Sequence, residues 1–340
     1  MDGMKICFYS GVRRPEDFDK YSWYRTDVEI LTALGFSVHA SKRPLDVSLK
    51  SDAYFAWWPT SGFLPMLLAK ARRKPFHLIA GGDDVVTEYP NFGFWERRPV
   101  IRQIIRNTVR QADHVIAVSQ HAAQQVRALG AENVSVVYNA IDVETYSPGT
   151  RSETRDFVCI VANLSSYYLK RKPVATLIRA LPQVLVRHPK ARLLLIGKLG
   201  EGSDQLRDLA ARLRVSDAVV FLGSVSTEEK LKLLKTAFGY VQPTTHEAFG
   251  VAIAEAMSCG LPVVTSPVAA VPEVVGDCGL FADPQDDSAF ASQIVHLLDN
   301  PELAAKMGER ARSRIVENFS VEQRQKGFQR IYASIPYFSM

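Results

Sequence analysis

Two carboxylates stand eight positions apart in QPTTHEAFGVAIAEAMSCG (242–260): Glu247 in a polar loop, and Glu255 inside a run of alanines and aliphatics. An acidic side chain among core-like neighbours is unusual and calls for a reason. Eight residues of ideal helix turn the second carboxylate about 80° from the first. The pair therefore suits two parts of one elongated ligand better than a paired acid and base. Gly250 lies between them, where a strand-like GYVQ gives way to a helix-like VAIAEAM. Backbone N–H groups of Phe249, Gly250 and Val251 would then gather at a helix start, a place that favours phosphate. For Glu255 the competing expectation is an exposed helix position, and for Glu247 a carboxylate that complements the helix dipole.

The elements that would position these groups follow from the hydropathy pattern. KICFYS, FSVHA, AYFAWW, HLIAG, HVIAVS and VSVVYN read as strands, with helix-like segments such as YRTDVEILTALG and HAAQQVRALG between most of them. After a polar stretch from Ser147 to Asp156 the alternation restarts with FVCIVAN, ARLLLIG, AVVFLG, GYVQP and LPVVTS. Strand and helix in repeated alternation imply parallel sheets with helices on both faces. The expectation is α/β: two doubly wound Rossmann-like domains, residues 1–150 and 151–340, facing a central cleft. The amphipathic segment 320–335 is expected as a closing helix, docked on the second domain or packing back towards the first. Ligand would bind beyond the carboxyl ends of the strands.

Composition narrows the function classes. The chain has 340 residues, 47% hydrophobic and 23% charged, with a formal net charge of +5. That charge is too mild to argue for nucleic acid, and the sequence carries no zinc-finger or RNA-binding signature. The four cysteines, Cys7, Cys159, Cys259 and Cys278, are scattered and read as reduced core thiols. No apolar run reaches the length of a membrane span. The expected location is cytoplasmic, with peripheral contact on the inner face of the membrane as a secondary expectation. That contact rests on Arg98, Arg102, Arg106 and Arg110, which recur every four residues after Phe92, Phe94 and Trp95. Basic faces with aromatic ends suit anionic lipid; the competing reading is a solvated face paired with local acids.

The stretch HEAFGVAIAEAMSCGLPVVTSPVAAVPEVVGDCGLFADPQD (246–286) resembles the signature of the retaining glycosyltransferases of family 4, which have the GT-B fold. It has the two glutamates with seven residues between them, the small-Gly-Pro-Val turn, the Pro-Glu-Val step and the Gly-Leu-hydrophobic-x-Pro close. VSVVYNAID resembles the family's strand before the interdomain linker, with Ala140 in place of Gly, and KPVATLIRALPQVL its lysine-led helix.

The resemblance implies transfer of a sugar from a UDP-, GDP- or ADP-sugar to the hydroxyl of a glycan, glycolipid or small molecule. It also implies retained anomeric configuration and neither cofactor nor metal. Catalytic roles would fall to Glu247, at the donor sugar, and Lys172, at the diphosphate. Glu255 would hold the ribose, and the amides from Phe249 to Val251 the diphosphate and sugar. Gly223 to Val225 would meet the base, and Gly11 would let the backbone approach the donor phosphate.

Asn163 departs from the family, since it holds the place where an arginine is expected, and three residues are inserted after it. Either Lys170 or Arg171 would then supply the second cation, or leaving-group stabilisation is weaker than in the family. His246 and His121 are expected to be structural or peripheral rather than general bases. Gly81, Gly82, Asp83 and Asp84, where a His often ends the strand, read as a strand-end turn or an acceptor contact. A competing class is a non-catalytic sugar-nucleotide-binding partner of another transferase, and a third is an epimerase or phosphorylase on the same fold.

Overall fold

The structure is a computed structural model and describes residues 4–12, 18, 22–90, 92–150 and 154–334. Residues 151–153 of the expected linker, residues 13–17 of the first strand–helix loop and Ile335 of the closing helix lie outside the described residues. The chain forms two compact units, one of residues up to Ala140 together with those from Val321 onward, the other Ile141–Ser320.

The first unit contains β1 (Lys5–Tyr9), β2 (Ser37–Ser41), β3 (Ala53–Trp57), β4 (Phe76–Ala80), β5 (His114–Ala117) and β6 (Val134–Val136). Their order in the sheet is β2-β1-β3-β4-β5-β6, and every pairing is parallel. All residues of β3 and β4 are buried, as expected of central parallel strands covered on both faces. The order reverses between β1 and β3, so the loops after those two strands diverge and leave a crevice at the sheet's carboxyl edge.

The second unit contains β7 (Asp156–Asn163), β8 (Arg192–Lys198), β9 (Val219–Gly223), β10 (Gly239–Gln242), β11 (Val263–Thr265) and β12 (Leu280–Phe281). Their order is β12-β11-β10-β7-β8-β9, again all parallel. Counted within the unit this is 6-5-4-1-2-3, the dinucleotide-binding order, with its switch point between β7 and β10. The two-residue β12 is too short to stand out in the hydropathy pattern, and sequence reading missed it.

The contact division falls at 140/141, ahead of the polar stretch that composition singled out. Tyr146 is the reason. It is buried, and its carbonyl accepts from Ser258 Oγ at 2.7 Å and from Arg312 at 3.0 Å, so the segment packs as part of the second unit. The turn lies at 143–146, ahead of Pro148 and Gly149, which stand in irregular chain.

The closing helix, Val321–Ser334, belongs to the first unit. Arg324 is buried there and makes 2.5 and 2.9 Å bonds to Asp27, with further bonds to the carbonyls of Val137 and Tyr138. Trp57 Nε1 donates to the same aspartate at 2.9 Å. The four cysteines are buried thiols without disulfides.

Candidate active site

Loops after β7 and β10 flank the switch point of the second sheet. The first runs through a short helix, Ser166–Arg171, and ends at Lys172. The second runs from Pro243 to Gly250 and leads into the helix Val251–Ser258. They are tied together where Thr245 N–H donates to the Arg171 carbonyl at 2.7 Å. This brings two distant residues into contact: Lys172 Nζ lies 3.0 Å from Glu247 Oε1. Gln242, the last residue of β10, donates to the same carboxylate oxygen at 3.0 Å.

Both partners of the ion pair are largely shielded from water. Burial alone would push the Glu247 carboxyl up, but the charges of Lys172 and Arg171 outweigh it and hold the group below the ordinary glutamate range. Arg171, rather than the exposed Lys170, is thus the second cation whose charge reaches this carboxylate. Asn163 ends β7 beside Gly200, and its Oδ1 is buried without a hydrogen-bond partner.

Gly250 adopts a left-handed conformation, φ +93°, which a residue with a Cβ resists. This turn starts the helix, so the N–H groups of Val251 and its successors carry no intrahelical bond. The Phe249 ring is buried edge-on against Phe319 at 5.6 Å, so only its backbone can meet a ligand at this helix start.

Glu255 sits one turn into that helix and is only 6% exposed, which corrects the exposed-helix expectation. Both its oxygens accept from Lys230 Nζ at 2.9 Å. Burial together with the charge of Glu255 raises the pKa of the nearby Tyr146 phenol strongly. The Lys230 ammonium also lies 5.0 Å from the centre of the Tyr146 ring. The carboxylate in the alanine run is therefore answered by a cation from the helix Thr227–Thr236. That helix follows the loop containing Gly223 (φ +71°) and the half-buried Val225, so the loop expected to meet the base leads directly to the partner of Glu255.

Sequence reading missed Lys230, Tyr146 and Gln242. Only Gln242 left a signal, as an amide closing an apolar strand five residues before Glu247. Lys230 is one of several lysines on a charged helix, and Tyr146 stands just before the stretch read as linker.

In the first unit Gly11 follows β1 with φ +63°, and a Cβ there would lie 2.2 Å from Ser61 Oγ. Its close approach is therefore to a neighbouring loop of its own unit. Gly81 and Gly82 lead into a 3₁₀ turn, Asp83–Val85. Among the described residues no three His, Cys, Asp or Glu side chains gather as metal ligands would. His246 is buried and His121 lies 3.7 Å from Glu88. The arginine stripe is partly absorbed by packing: Arg102 lies over Trp95, Arg106 over Phe94, and Arg110 donates to the Leu129 carbonyl.

Comparison with known proteins decides the family. The family model "Glycosyl transferases group 1" matches residues 144–314. The chain belongs to that family. A second model, "Glycosyltransferase Family 4", matches residues 33–145 of this group 1 member.

One relative is the phosphatidylinositol N-acetylglucosaminyltransferase gpi3 subunit of Schizosaccharomyces pombe, 32% identical over 63% of the chain and 48% of the relative. Another is the N-acetyl-alpha-D-glucosaminyl L-malate synthase of Bacillus anthracis, 30% identical over 70% of the chain and 64% of the relative. The chain thus spans between about half and just under two thirds of these relatives' length.

In fold, the group 1 chain is similar to HepE from Anabaena, whose structure holds UDP and glucose, with TM-score 0.79 and 18% identity over 98% of this chain and all of that one. Sucrose-phosphate synthase from Thermosynechococcus elongatus gives TM-score 0.78 at 18% identity, over 97% and 98% of the two chains. Both are GT-B neighbours of this two-sheet fold.

Proposed function

We propose that the protein transfers a sugar from a nucleoside-diphosphate donor to an acceptor hydroxyl with retention of anomeric configuration. The observation that carries this reading is the Lys172–Glu247 pair, 3.0 Å apart at the switch point and beside a helix start whose first amides carry no intrahelical bond. Departure of a nucleoside diphosphate builds negative charge, and catalysis needs cations and N–H groups already in place to meet it. In this reading Lys172 and Arg171 face the diphosphate with the amides of Phe249, Gly250 and Val251. Glu247 then turns to hydroxyls of the donor sugar.

Glu255, held by Lys230, takes the ribose, and the Gly223–Val225 loop takes the base. Asn163 offers its unpartnered Oδ1 to the same ligand. Two cations and the helix start supply charge that a metal supplies in other transferases, so the reading needs no metal or cofactor. The names of the relatives, which describe transfer of sugars to different acceptors, support the reaction class.

Calorimetric titration of the full chain with UDP, GDP and ADP tests the donor side. One nucleotide is expected to bind, and Glu255→Gln to weaken it by roughly tenfold to hundredfold, the worth of hydrogen bonds to a charged group. No binding of any of the three by folded wild-type protein would remove the basis of the reading. Binding without turnover of any donor sugar would favour the non-catalytic partner instead.

A peripheral membrane contact on the cytoplasmic face is proposed as a second property. The helices Phe63–Ala71 and Pro99–Gln111 pack together and leave Leu67 47% and Val100 66% exposed, beside an exposed Arg98. No described helix is long and apolar enough to cross a membrane. Vesicles of phosphatidylglycerol are expected to bind the protein at low salt and release it at high salt. Failure to co-sediment at low salt would end this part of the reading.

A further inference from the structure

The crevice at the carboxyl edge of the first sheet contains polar groups that the donor chemistry does not use. Trp58 leaves β3 with φ +70°, a conformation rare for a bulky residue, and its half-exposed ring is tethered by a 2.6 Å bond from its indole N–H to the Tyr24 hydroxyl. Strained backbone of this kind concentrates at functional sites. Two residues on, the exposed Thr60 donates its hydroxyl proton to Asp84 Oδ2 at 3.0 Å. With that proton committed, the lone pairs of Thr60 Oγ1 can only accept.

Asp84 is 6% exposed, and its other oxygen, Oδ1, has no hydrogen-bond partner. Gly82 brings these groups together: a Cβ there would stand 2.5 Å from Cζ3 of the Trp58 ring and 3.0 Å from Asp84 Oδ1. The unmatched oxygen and the ring edge therefore both lie over the bare backbone of Gly82.

The geometry points to a binding site for a neutral, hydroxyl-bearing ring, a sugar or cyclitol, on Thr60, Asp84 and Trp58. A ring hydroxyl donates to Thr60 Oγ1, a second reaches Asp84 Oδ1 as the indole gives way, and the C–H face of the ring lies on the indole. Charge sets the class. Asp83 and Asp84 stand together, and Arg97 pairs with Asp83 at 3.3 Å, so the local balance is negative and disfavours a carboxylate or phosphate ligand. A buried acceptor such as Asp84 Oδ1, in turn, discriminates strongly for O–H donors, because without one it stays unmatched. This inference rests on the transfer reading and deepens it by naming the class of acceptor.

The test titrates the full chain with methyl α-D-glucopyranoside, methyl α-D-mannopyranoside and myo-inositol, followed by ligand-observed NMR, with L-malate and glucose 6-phosphate as anionic comparators. Monomeric octyl glucoside set against the methyl glucoside separates a lipid-borne ring from a free one. At least one neutral ring is expected to bind, and Thr60→Val and Asp84→Ala each to weaken it at least tenfold, while Thr60→Ser retains it. Thr60 is exposed, so its variants keep the test informative where Asp84→Ala fails to fold.

Absence of binding by every neutral ring, equal binding by wild type and Thr60→Val, or tighter binding of the anions would each overturn the inference. Nucleotide titration of the same samples keeps the two readings apart. Nucleotide binding without ring binding defeats only the acceptor site, whereas ring binding without nucleotide binding defeats the transfer reading.

Discussion

Replacing Arg324 with leucine is expected to destabilise the first unit by about 3–5 kcal/mol, the usual cost of breaking a buried ion pair by removing one partner. For a unit of this size that is a fall of roughly 6–20 °C in its melting transition. The guanidinium is 1% exposed and its partner Asp27 is fully buried. It also satisfies the carbonyls of Val137 and Tyr138 and lies over the rings of Trp57 and Phe328. Without it, Asp27 keeps only the Trp57 N–H among these partners and becomes an uncompensated charge.

The double variant Asp27→Leu/Arg324→Leu is expected to recover part of the loss, because it removes the stranded charge and leaves only the unpaired neutral groups. Differential scanning calorimetry measures both variants, and limited proteolysis shows whether the closing helix detaches. A single variant that melts with wild type would mean the pair does not hold the helix.

Lys172→Met is expected to lower turnover by about 10²–10³-fold, the loss seen when one preorganised group facing developing charge is removed. The substitution also changes Glu247. Its carboxyl is held below the ordinary range because Lys172 and Arg171 outweigh burial. With Lys172 gone, burial counts for more and the pKa rises. A carboxyl with a depressed folded pKa stabilises the fold above its unfolded pKa and loses that contribution as pH falls through the folded value. In the variant the loss begins at higher pH, so the acid limb of both stability and turnover moves upward.

Release of nucleotide from the preferred donor sugar, followed from pH 4 to 9, reads the rate and the limb together, and a melt at pH 8 checks the fold. A raised KM with unchanged kcat would show that Lys172 binds ground and transition states alike and would remove it from the chemistry.

The amino-acid pattern alone determined the two parallel sheets, because fully buried strands and the amphipathic helices between them have different hydrophobic periods. It also determined that one carboxylate stands in a loop and the other in the helix after it, since Gly250 breaks the chain between a strand and a helix. What it left open was every partner. Lys172 meets Glu247 across 75 positions because β7 and β10 are neighbours only in the sheet, and their order exists only in three dimensions.

Glu255 finds Lys230 for the same reason, and a lysine on a solvated helix bears no mark of the carboxylate it will face. The closing helix is the clearest case. Its amphipathic pattern says that one face is buried, yet the burial partner was decided by a single arginine meeting Asp27 nearly 300 residues away. Periodicity is a local property of the chain, whereas the matching of charges is a property of the folded surface. Local pattern therefore reached the elements of this protein, and tertiary structure alone decided which polar groups they bring together.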